Sequence, residues 1–311
     1  MESVIHTILT QLDLSRFRNS NGTMQSYYFN GVTWMAIKTT SFIFETLRPF
    51  LPADFRPTFQ NKRLLEKIVV PMFRGVDENV WDPPHLFAFN NKIFDLAKRE
   101  FVEPSPDQYI RTTCGWDYDD TQDQTAALEQ MITLWSEWFP NPEVGERVRA
   151  IFASILWAPS ENVENKIYML YGSGGNGKST CMHYIQLLFG DNMFESCQSP
   201  VEMMEPRVRT TRGGKRIYQT YDWDRKYTRE NIEYCLKRNF HNVFIHSNTL
   251  DAIHALFEKE PDMMDVIEII PFENKFRGSH WPYYNNEWKE KRQALFMMLT
   301  MMTLDNSHIL K

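Results

Sequence analysis

Residues 166–180, KIYMLYGSGGNGKST, combine a short apolar strand with a glycine-rich loop that could bind phosphate. Glycines let successive backbone N–H groups turn inward around phosphate oxygens, and a helix after the loop offers them its positive N-terminal end. In this pattern Lys178 reaches the terminal phosphates and the Ser179 hydroxyl binds Mg²⁺. An apolar helix at Cys181–Phe189 favours this interpretation over a glycine-rich surface turn. The sequence therefore predicts a nucleoside-triphosphate site formed by Gly172, Ser173, Gly174, Gly175, Asn176, Gly177, Lys178, Ser179 and Thr180.

The elements that position this loop alternate between strands and helices. Two helices are predicted before the loop, at Asp123–Phe139 and Val144–Trp157. From residue 166 onward, short apolar strands alternate with helical segments, which is typical of a parallel sheet with crossover helices. The fold class predicted here is α/β, with a P-loop, a parallel sheet and flanking helices. The predicted strands are Ile167–Tyr171, Arg216–Tyr221, Val243–Ser247 and Val266–Ile270.

The first 120 residues predict a small α+β domain of a different kind. Asn30-Gly31 favours a type I′ hairpin turn between strands at 27–29 and 32–37, and Asn90-Asn91 is the predicted turn of a second hairpin over 86–96. Helices are predicted at Ser3–Phe17, at 41–47 and at 61–73, where Pro71 interrupts the last. The predicted domains are 1–120 (α+β), 121–162 (helical linker) and 163–311 (P-loop domain with a C-terminal helix).

Composition limits the compartment and the partners. The longest apolar runs are far shorter than a membrane span, and the N-terminus lacks the pattern of a secretory signal. The four cysteines have no CxxC pairs, which favours reduced thiols in a cytosol-like compartment, and we expect a cytoplasmic location. His241 and His246 lack a third nearby ligand, which disfavours zinc. A net charge of −6 disfavours a broadly basic surface but allows a local basic patch.

Several further segments occur in a recognisable order. The phosphate loop is preceded by a Tyr28–Trp34 hairpin and the segment 89–96. It is followed by the segment 214–222 (GKRIYQTYD), the segment 243–249 (VFIHSNT) and an Ile269–Phe272 segment with Phe276. In this order they resemble the superfamily-3 helicase domain of the poxvirus-type and phage primase-helicases, which are AAA+ ATPases. The present chain resembles a reduced form of them without the primase domain.

The resemblance implies roles for three catalytic residues, Lys178, Asp222 and Asn248. Asp222 would be the Walker B acid that holds Mg²⁺ together with Ser179, and Asn248 would orient the attacking water. Two alternatives stay open, since Asp224 could be the metal-proximal acid and Asn248 could simply cap the helix beginning near Asp251. The implied cofactors are ATP and Mg²⁺, and the implied partners are further copies in a ring, DNA and replication proteins, with no membrane.

Two groups of residues could contact nucleic acid. Arg207, Arg209 and Arg212 precede the 214–222 segment and could follow a phosphate backbone, although a solvated loop is an equally good interpretation. The hairpin aromatics Tyr27, Tyr28 and Trp34 could stack on bases, but packing within the sheet is favoured.

Two departures from the family pattern bear on activity. The chain between Asp222 and Asn248 is too short for the family's DNA-gripping insert, and Asp265 and Val266 stand where an arginine finger is expected. Arg277 is the nearest replacement. The leading hypothesis is an ATPase resembling replicative DNA helicases, with weakened hydrolysis and unwinding. The alternatives are a non-enzymatic nucleotide-binding scaffold and, less favoured, a small-molecule kinase.

Overall fold

The computed structural model describes residues 13–21, 25–37, 44–45, 48, 51, 56, 58–121, 123–157, 166–197, 217–221, 229–230, 232–233, 242–276 and 288–301. Contacts divide the chain into two units. The first unit contains Met1–Pro83 and Val102–Thr112, and the second contains Pro84–Phe101 and Thr113–Lys311. These limits differ from the domain boundaries drawn from the sequence at residues 120 and 162, which stay predictions.

The first unit contains a four-stranded sheet with the order β3-β2-β1-β4. Its strands are β1 (Phe17–Ser20), β2 (Ser26–Phe29), β3 (Trp34–Ala36) and β4 (Arg74–Val76). The hairpin predicted at 27–37 is the antiparallel β2–β3 pair. The predicted type I′ turn at Asn30-Gly31 is wrong. Residues 30–33 form a four-residue loop, and Asn30 does not adopt a positive φ. The Asn30 side chain instead accepts hydrogen bonds from the N–H groups of Val32 and Thr33.

Helix α1 (Phe59–Val69) packs on this unit through one face. The Thr58 hydroxyl caps it by accepting from the Asn61 N–H at 3.2 Å, and Leu65 and Val69 are buried in a cluster with Phe17 and Phe73. The helix predicted at 61–73 instead ends at Val69, and Pro71 lies in a 3₁₀ turn directly after it. The predicted helices 3–17 and 41–47 fall mostly outside the described residues.

The hairpin aromatics pack inside the first unit. Trp34 is 1% exposed and lies edge-on to Trp81 at 5.9 Å between ring centroids, and Tyr27 lies 4.9 Å from the same ring. Tyr28 is half-buried against Phe17. The packing interpretation is therefore confirmed over a base-stacking platform.

The second unit contains a five-stranded parallel sheet with the order β12-β8-β11-β10-β9. The strands are β8 (Ile167–Tyr171), β9 (Phe194–Cys197), β10 (Ile217–Tyr221), β11 (Val243–Ser247) and β12 (Ile267–Pro271). A smaller sheet contains the hairpin β5 (Leu86–Ala88) and β6 (Ile93–Asp95), with β7 (Glu100–Val102) beside it. The parallel α/β prediction and the hairpin prediction are both confirmed.

Five described helices accompany these sheets: α2 (Thr125–Trp138), α3 (Pro142–Leu156), α4 (Lys178–Met193), α5 (Asp251–Lys259) and α6 (Trp288–Thr300). Side chains of a strand alternate between the faces of a sheet. Tyr168 and Leu170 of β8 accordingly join one apolar cluster, while Ile167 and Met169 join another, so both faces of the parallel sheet are covered. Among the described residues, no helix has both the length and the apolar character needed to cross a membrane.

Candidate phosphate-binding site

The loop between β8 and α4 requires glycine at two positions where other groups approach closely. A Cβ on Gly172 would lie 1.8 Å from Asn176 Nδ2 and 2.4 Å from the Phe272 carbonyl oxygen. Gly177 has a φ of +88°, and a Cβ there would lie 2.8 Å from the indole nitrogen of Trp138. At the apex of the loop, Ser173, Gly174 and Gly175 are exposed. The predicted loop residues therefore form one strand–loop–helix connection with a tightly packed base and an accessible apex.

Lys178 is the first residue of α4 and is only 6% exposed. Its ammonium group donates to the Gly172 carbonyl oxygen, to Asn176 Oδ1 at 3.0 Å and to Asn248 Oδ1 at 3.3 Å. These contacts bring together the loop, the helix and the residue that follows β11. The structure thus places two predicted catalytic residues, Lys178 and Asn248, within hydrogen-bonding distance.

Asn176 links the loop by a hydrogen bond to the residue after β12. Its side chain is 2% exposed, and Nδ2 donates to the Phe272 carbonyl oxygen at 2.9 Å while Oδ1 accepts from Lys178. The Phe276 N–H donates to the Gly175 carbonyl oxygen at 3.0 Å. The segment 272–276 therefore lies along the phosphate loop. The family resemblance placed Phe272 and Phe276 in a motif, but it did not indicate that their backbone contacts the loop.

The N-terminal end of α4 can interact with an anion. Its N-cap, Gly177, provides no side-chain hydrogen bond, so the backbone donors of the first turn are not capped by a side chain. Such donors, together with the helix dipole, favour negative charge at this end. Ser179 is exposed and Thr180 is half-buried in the same turn. The loop, the Lys178 ammonium and this helix end supply donors suited to phosphate oxygens.

Asn248 follows β11 and does not cap the next helix. The N-cap of α5 is Leu250, and no side chain caps that end. The Asn248 amide oxygen instead accepts from Lys178, so the capping alternative is wrong. Its proposed role in orienting water stays a prediction.

A buried histidine lies beneath these residues. His246 Nε2 is 2.8 Å from Gln219 Nε2 of the neighbouring strand β10. Since an amide nitrogen donates, the ring nitrogen accepts, which requires a neutral imidazole. Burial and the nearby Lys178 charge lower the pKa of His246 to about 4. Neither Gln219 nor His246 was given a role from the sequence, and the described residues contain no cluster of three or more potential metal-ligating His, Cys, Asp or Glu side chains.

Several predicted site residues lie outside the described residues: Asp222, Asp224, Arg207, Arg209, Arg212 and Arg277. The described strand β10 ends at Tyr221, the residue before Asp222, and β10 is hydrogen-bonded to β11. The roles assigned to these residues stay predictions.

Asp265 and Val266 lie at the opposite end of the parallel strands from the phosphate loop. They directly precede β12, whereas the loop follows the end of the parallel strand β8. At about 3.3 Å per residue, the five residues of β12 between them and Phe272 span about 16 Å. Asp265 instead borders a shallow cavity of about 270 Å³ near Arg147, which pairs with Glu268 at 2.8 Å. Asp265 is therefore remote from the loop of its own chain.

Comparison with known proteins shows what this chain is similar to. Residues 7–140 match the family described as D5 N terminal like. "Putative helicase L207/L206" of Acanthamoeba polyphaga mimivirus is 27% identical over 118 residues, and "Putative helicase 121R" of Invertebrate iridescent virus 3 is 27% identical over 265 residues. Over residues 7–140 this chain resembles the D5 N terminal like family, and it is similar to two viral proteins named as putative helicases.

The extent of these matches differs between sequence and structure. The sequence matches cover 38% and 73% of this chain, but only 12% and 26% of the two viral proteins. The fold resembles the C-terminal region of NrS-1 in two structures, with TM-scores of 0.55 and 0.52, 10% identity, and coverage of 99% of this chain and 70% of those chains. The structural likeness concerns the fold alone.

Proposed function

We propose that this chain is a P-loop ATPase that binds ATP and Mg²⁺ at Gly172–Thr180 and acts on DNA within a helicase-like ring of identical subunits. The observation that supports it most is the convergence of Lys178, Asn248 and the glycine loop at the N-terminal end of α4. Sequence relatives named as helicases favour the same conclusion. We further propose that it works beside other replication proteins, in the host cytoplasm or at a viral replication site.

The residues at the loop would divide the chemistry between them. Lys178 would bind the terminal phosphates, and the exposed Ser179 hydroxyl, together with Asp222, would hold Mg²⁺. The metal ion supplies charge neutralisation on the phosphate oxygens. Asp222 would position or deprotonate the attacking water, and Asn248 would orient it. Because Asn248 already contacts Lys178, both groups would face the same phosphate.

Nucleotide binding can be tested without perturbing the core. Ser179→Ala removes an exposed hydroxyl, so we expect the native melting temperature to persist while the stabilisation by ATP·Mg²⁺ is lost. Lys178→Ala should abolish the same stabilisation, but it also leaves buried acceptors unpaired and lowers the melting temperature without ligand. The matched control is Lys259→Ala, an exposed lysine near the end of α5. Equal stabilisation of all four proteins by ATP·Mg²⁺ would refute the site.

A nucleotide-binding scaffold without hydrolysis is the second candidate. The observation that favours it is the acid Asp265 and the apolar Val266 at the place expected for a finger arginine. An arginine finger that stabilises the transition state typically raises the rate of hydrolysis by about 10³-fold or more, so a site without one would hydrolyse ATP slowly. Measuring ATP hydrolysis with and without single-stranded DNA separates the candidates. DNA-stimulated turnover that Ser179→Ala abolishes supports the ATPase, while binding without any turnover supports the scaffold.

A further inference from the structure

One face of α1 carries basic and apolar side chains exposed to solvent. Phe59, Arg63 and Lys67 follow each other at intervals of four residues, and Gln60 and Leu64 lie beside them. All five are exposed, and Phe59 is 70% exposed. At 1.5 Å per residue, the three residues at four-residue intervals are about 6 Å apart along the helix axis. The opposite face is fixed by the burial of Leu65 and Val69, so this stripe is held in a defined orientation.

The charge of this region contrasts with the rest of the chain. Residues 56–76 contain one acid, Glu66, and five basic residues, although the whole chain has a net charge of −6. The basic residues are Arg56, Lys62, Arg63, Lys67 and Arg74.

In the part of the chain that the structure describes, these cations form no ion pairs. Arg111, Arg149 and Arg229 form ion pairs with carboxylates elsewhere in the chain. Within the described ranges, none of the five basic residues of 56–76 does so. The Arg63 guanidinium instead lies 5.4 Å from the Phe59 ring centroid. Among the described residues, Arg63 and Lys67 thus form no ion pair and lie on the same helix face as an exposed aromatic ring.

We propose that this face of α1 binds single-stranded DNA, with Arg63 and Lys67 on the phosphates and Phe59 against a base. Proteins that bind single strands combine cations along the backbone with aromatic rings on which bases stack, and the exposed Phe59 supplies the ring. The basic charge complements a polyanion, and cations that form no ion pair within the described ranges have no carboxylate there to release. The proposal rests on the proposed action on DNA and adds a contact separate from the 207–212 cluster.

The test measures the affinity of the full chain for a fluorescent oligothymidylate at several salt concentrations. Replacing Arg63 and Lys67 with glutamine removes two phosphate contacts, so we expect the slope of log affinity against log salt to fall by about 1.4. Phe59→Ala should weaken binding about fivefold or more and leave that slope unchanged, because stacking releases no counterions. The control replaces Lys98 and Lys259, two exposed lysines of the second unit, with glutamine.

Three results would overturn the inference. One is a native slope in the Arg63/Lys67 variant. Another is an equal loss in the Lys98/Lys259 control, which would reflect overall charge alone. The third is tighter binding of an acidic peptide or an anionic vesicle than of oligothymidylate. Thermal stabilisation by ATP·Mg²⁺, measured on the same variants, keeps this question apart from the proposed function. If ATP·Mg²⁺ stabilises the variants but the Arg63/Lys67 variant keeps the native salt slope, only the α1 surface is refuted. If the salt slope falls as expected but ATP·Mg²⁺ does not stabilise the native chain, only the nucleotide site is refuted.

Discussion

Asn176 satisfies two buried groups through the two atoms of its amide. The nitrogen donates to the Phe272 carbonyl oxygen and the oxygen accepts from the Lys178 ammonium, so one side chain joins the phosphate loop to β12. No other amino acid of the same size offers both a donor and an acceptor here, since aspartate replaces the donor with a charged oxygen.

We therefore expect Asn176→Ala to lower the free energy of unfolding by about 1–3 kcal/mol, because it leaves buried partners unpaired. Asn176→Asp should weaken ATP·Mg²⁺ binding more than Asn176→Ala does, since a carboxylate beside Lys178 repels phosphate. Urea unfolding and calorimetric titration measure the two effects. Asn274→Ala is the matched control, because that amide donates to the Glu137 carbonyl oxygen and is not among the described hydrogen-bond partners of Lys178. Equal ATP·Mg²⁺ affinities of the three variants would contradict a positioning role.

His246 makes stability depend on pH. Its pKa of about 4 in the folded chain is below the ordinary value of 6.5, so between these values the unfolded chain binds more protons. Stability from this group is complete above pH 6.5 and is lost as pH falls toward 4, by about 3 kcal/mol in total. Urea unfolding from pH 7 to 4 should show a shallower decline for His246→Gln than for the native chain. His254→Gln, at an exposed position, should keep the native decline. A parallel decline in all three proteins would show that His246 does not titrate in this range.

At the scale of elements, α4 is interrupted where the chain from the small sheet crosses it. Gly190 has φ +63° and ψ 170°, and a Cβ there would lie 1.8 Å from the Cys114 carbonyl oxygen. The Trp116 indole donates to the Leu188 carbonyl oxygen at 2.8 Å in the same region. The end of α4 and the segment 114–116 thus fit together only without a side chain at residue 190.

Gly190→Ala should therefore destabilise the second unit by more than an ordinary glycine replacement, at about 2 kcal/mol or more. Gly174→Ala is the control, because its Cβ would meet nothing within 4 Å and its φ is not positive. Thermal unfolding of both variants measures the difference. A Gly190→Ala chain as stable as the Gly174→Ala chain would mean that the backbone of 114–116 moves at little cost.

Some of these elements could be predicted from the sequence, and others could not. The bounds of β8 and β11 agree with the prediction, because β8 is an apolar run of five residues and β11 begins with three apolar residues, all buried apart from the half-buried Tyr171. The edge strand β9 was missed, since FESC lacks an apolar run. The positions of Lys178 and Ser179 follow from a local motif. The contact between Asn176 and Phe272 joins residues 96 positions apart, which no local pattern encodes.

At the scale of the whole molecule, the hairpin at 86–96 belongs to the unit that contains the phosphate loop. Phe296 of α6 packs against Phe87, Phe89 and Phe94, with ring centroids 5.3, 5.0 and 5.2 Å away. The α6 helix thus covers the small sheet some 200 residues earlier in the chain. Local hydrophobic patterns identify both elements, but they do not show that the two meet.

Phe296→Ala should consequently cost about 3–5 kcal/mol of the second unit's stability, because it leaves a cavity among three aromatic rings. Met301→Ala is the control, since that side chain at the end of α6 is 57% exposed. Denaturant unfolding followed by tryptophan fluorescence measures both. A loss below 1 kcal/mol for Phe296→Ala would show that this contact contributes little.

The hydrogen bonds of Lys178 affect how strongly any nucleotide can bind. The carbonyl oxygen of Gly172 and the amide oxygens of Asn176 and Asn248 are internal competitors for the ammonium group that a phosphate would use. Binding is then an exchange of acceptors, and its measured free energy is the difference between two sets of contacts to one cation. Such an exchange favours a ligand whose phosphate carries more charge than a neutral oxygen. The loop would thereby select for charge at the position of the ammonium while holding its own lysine in place.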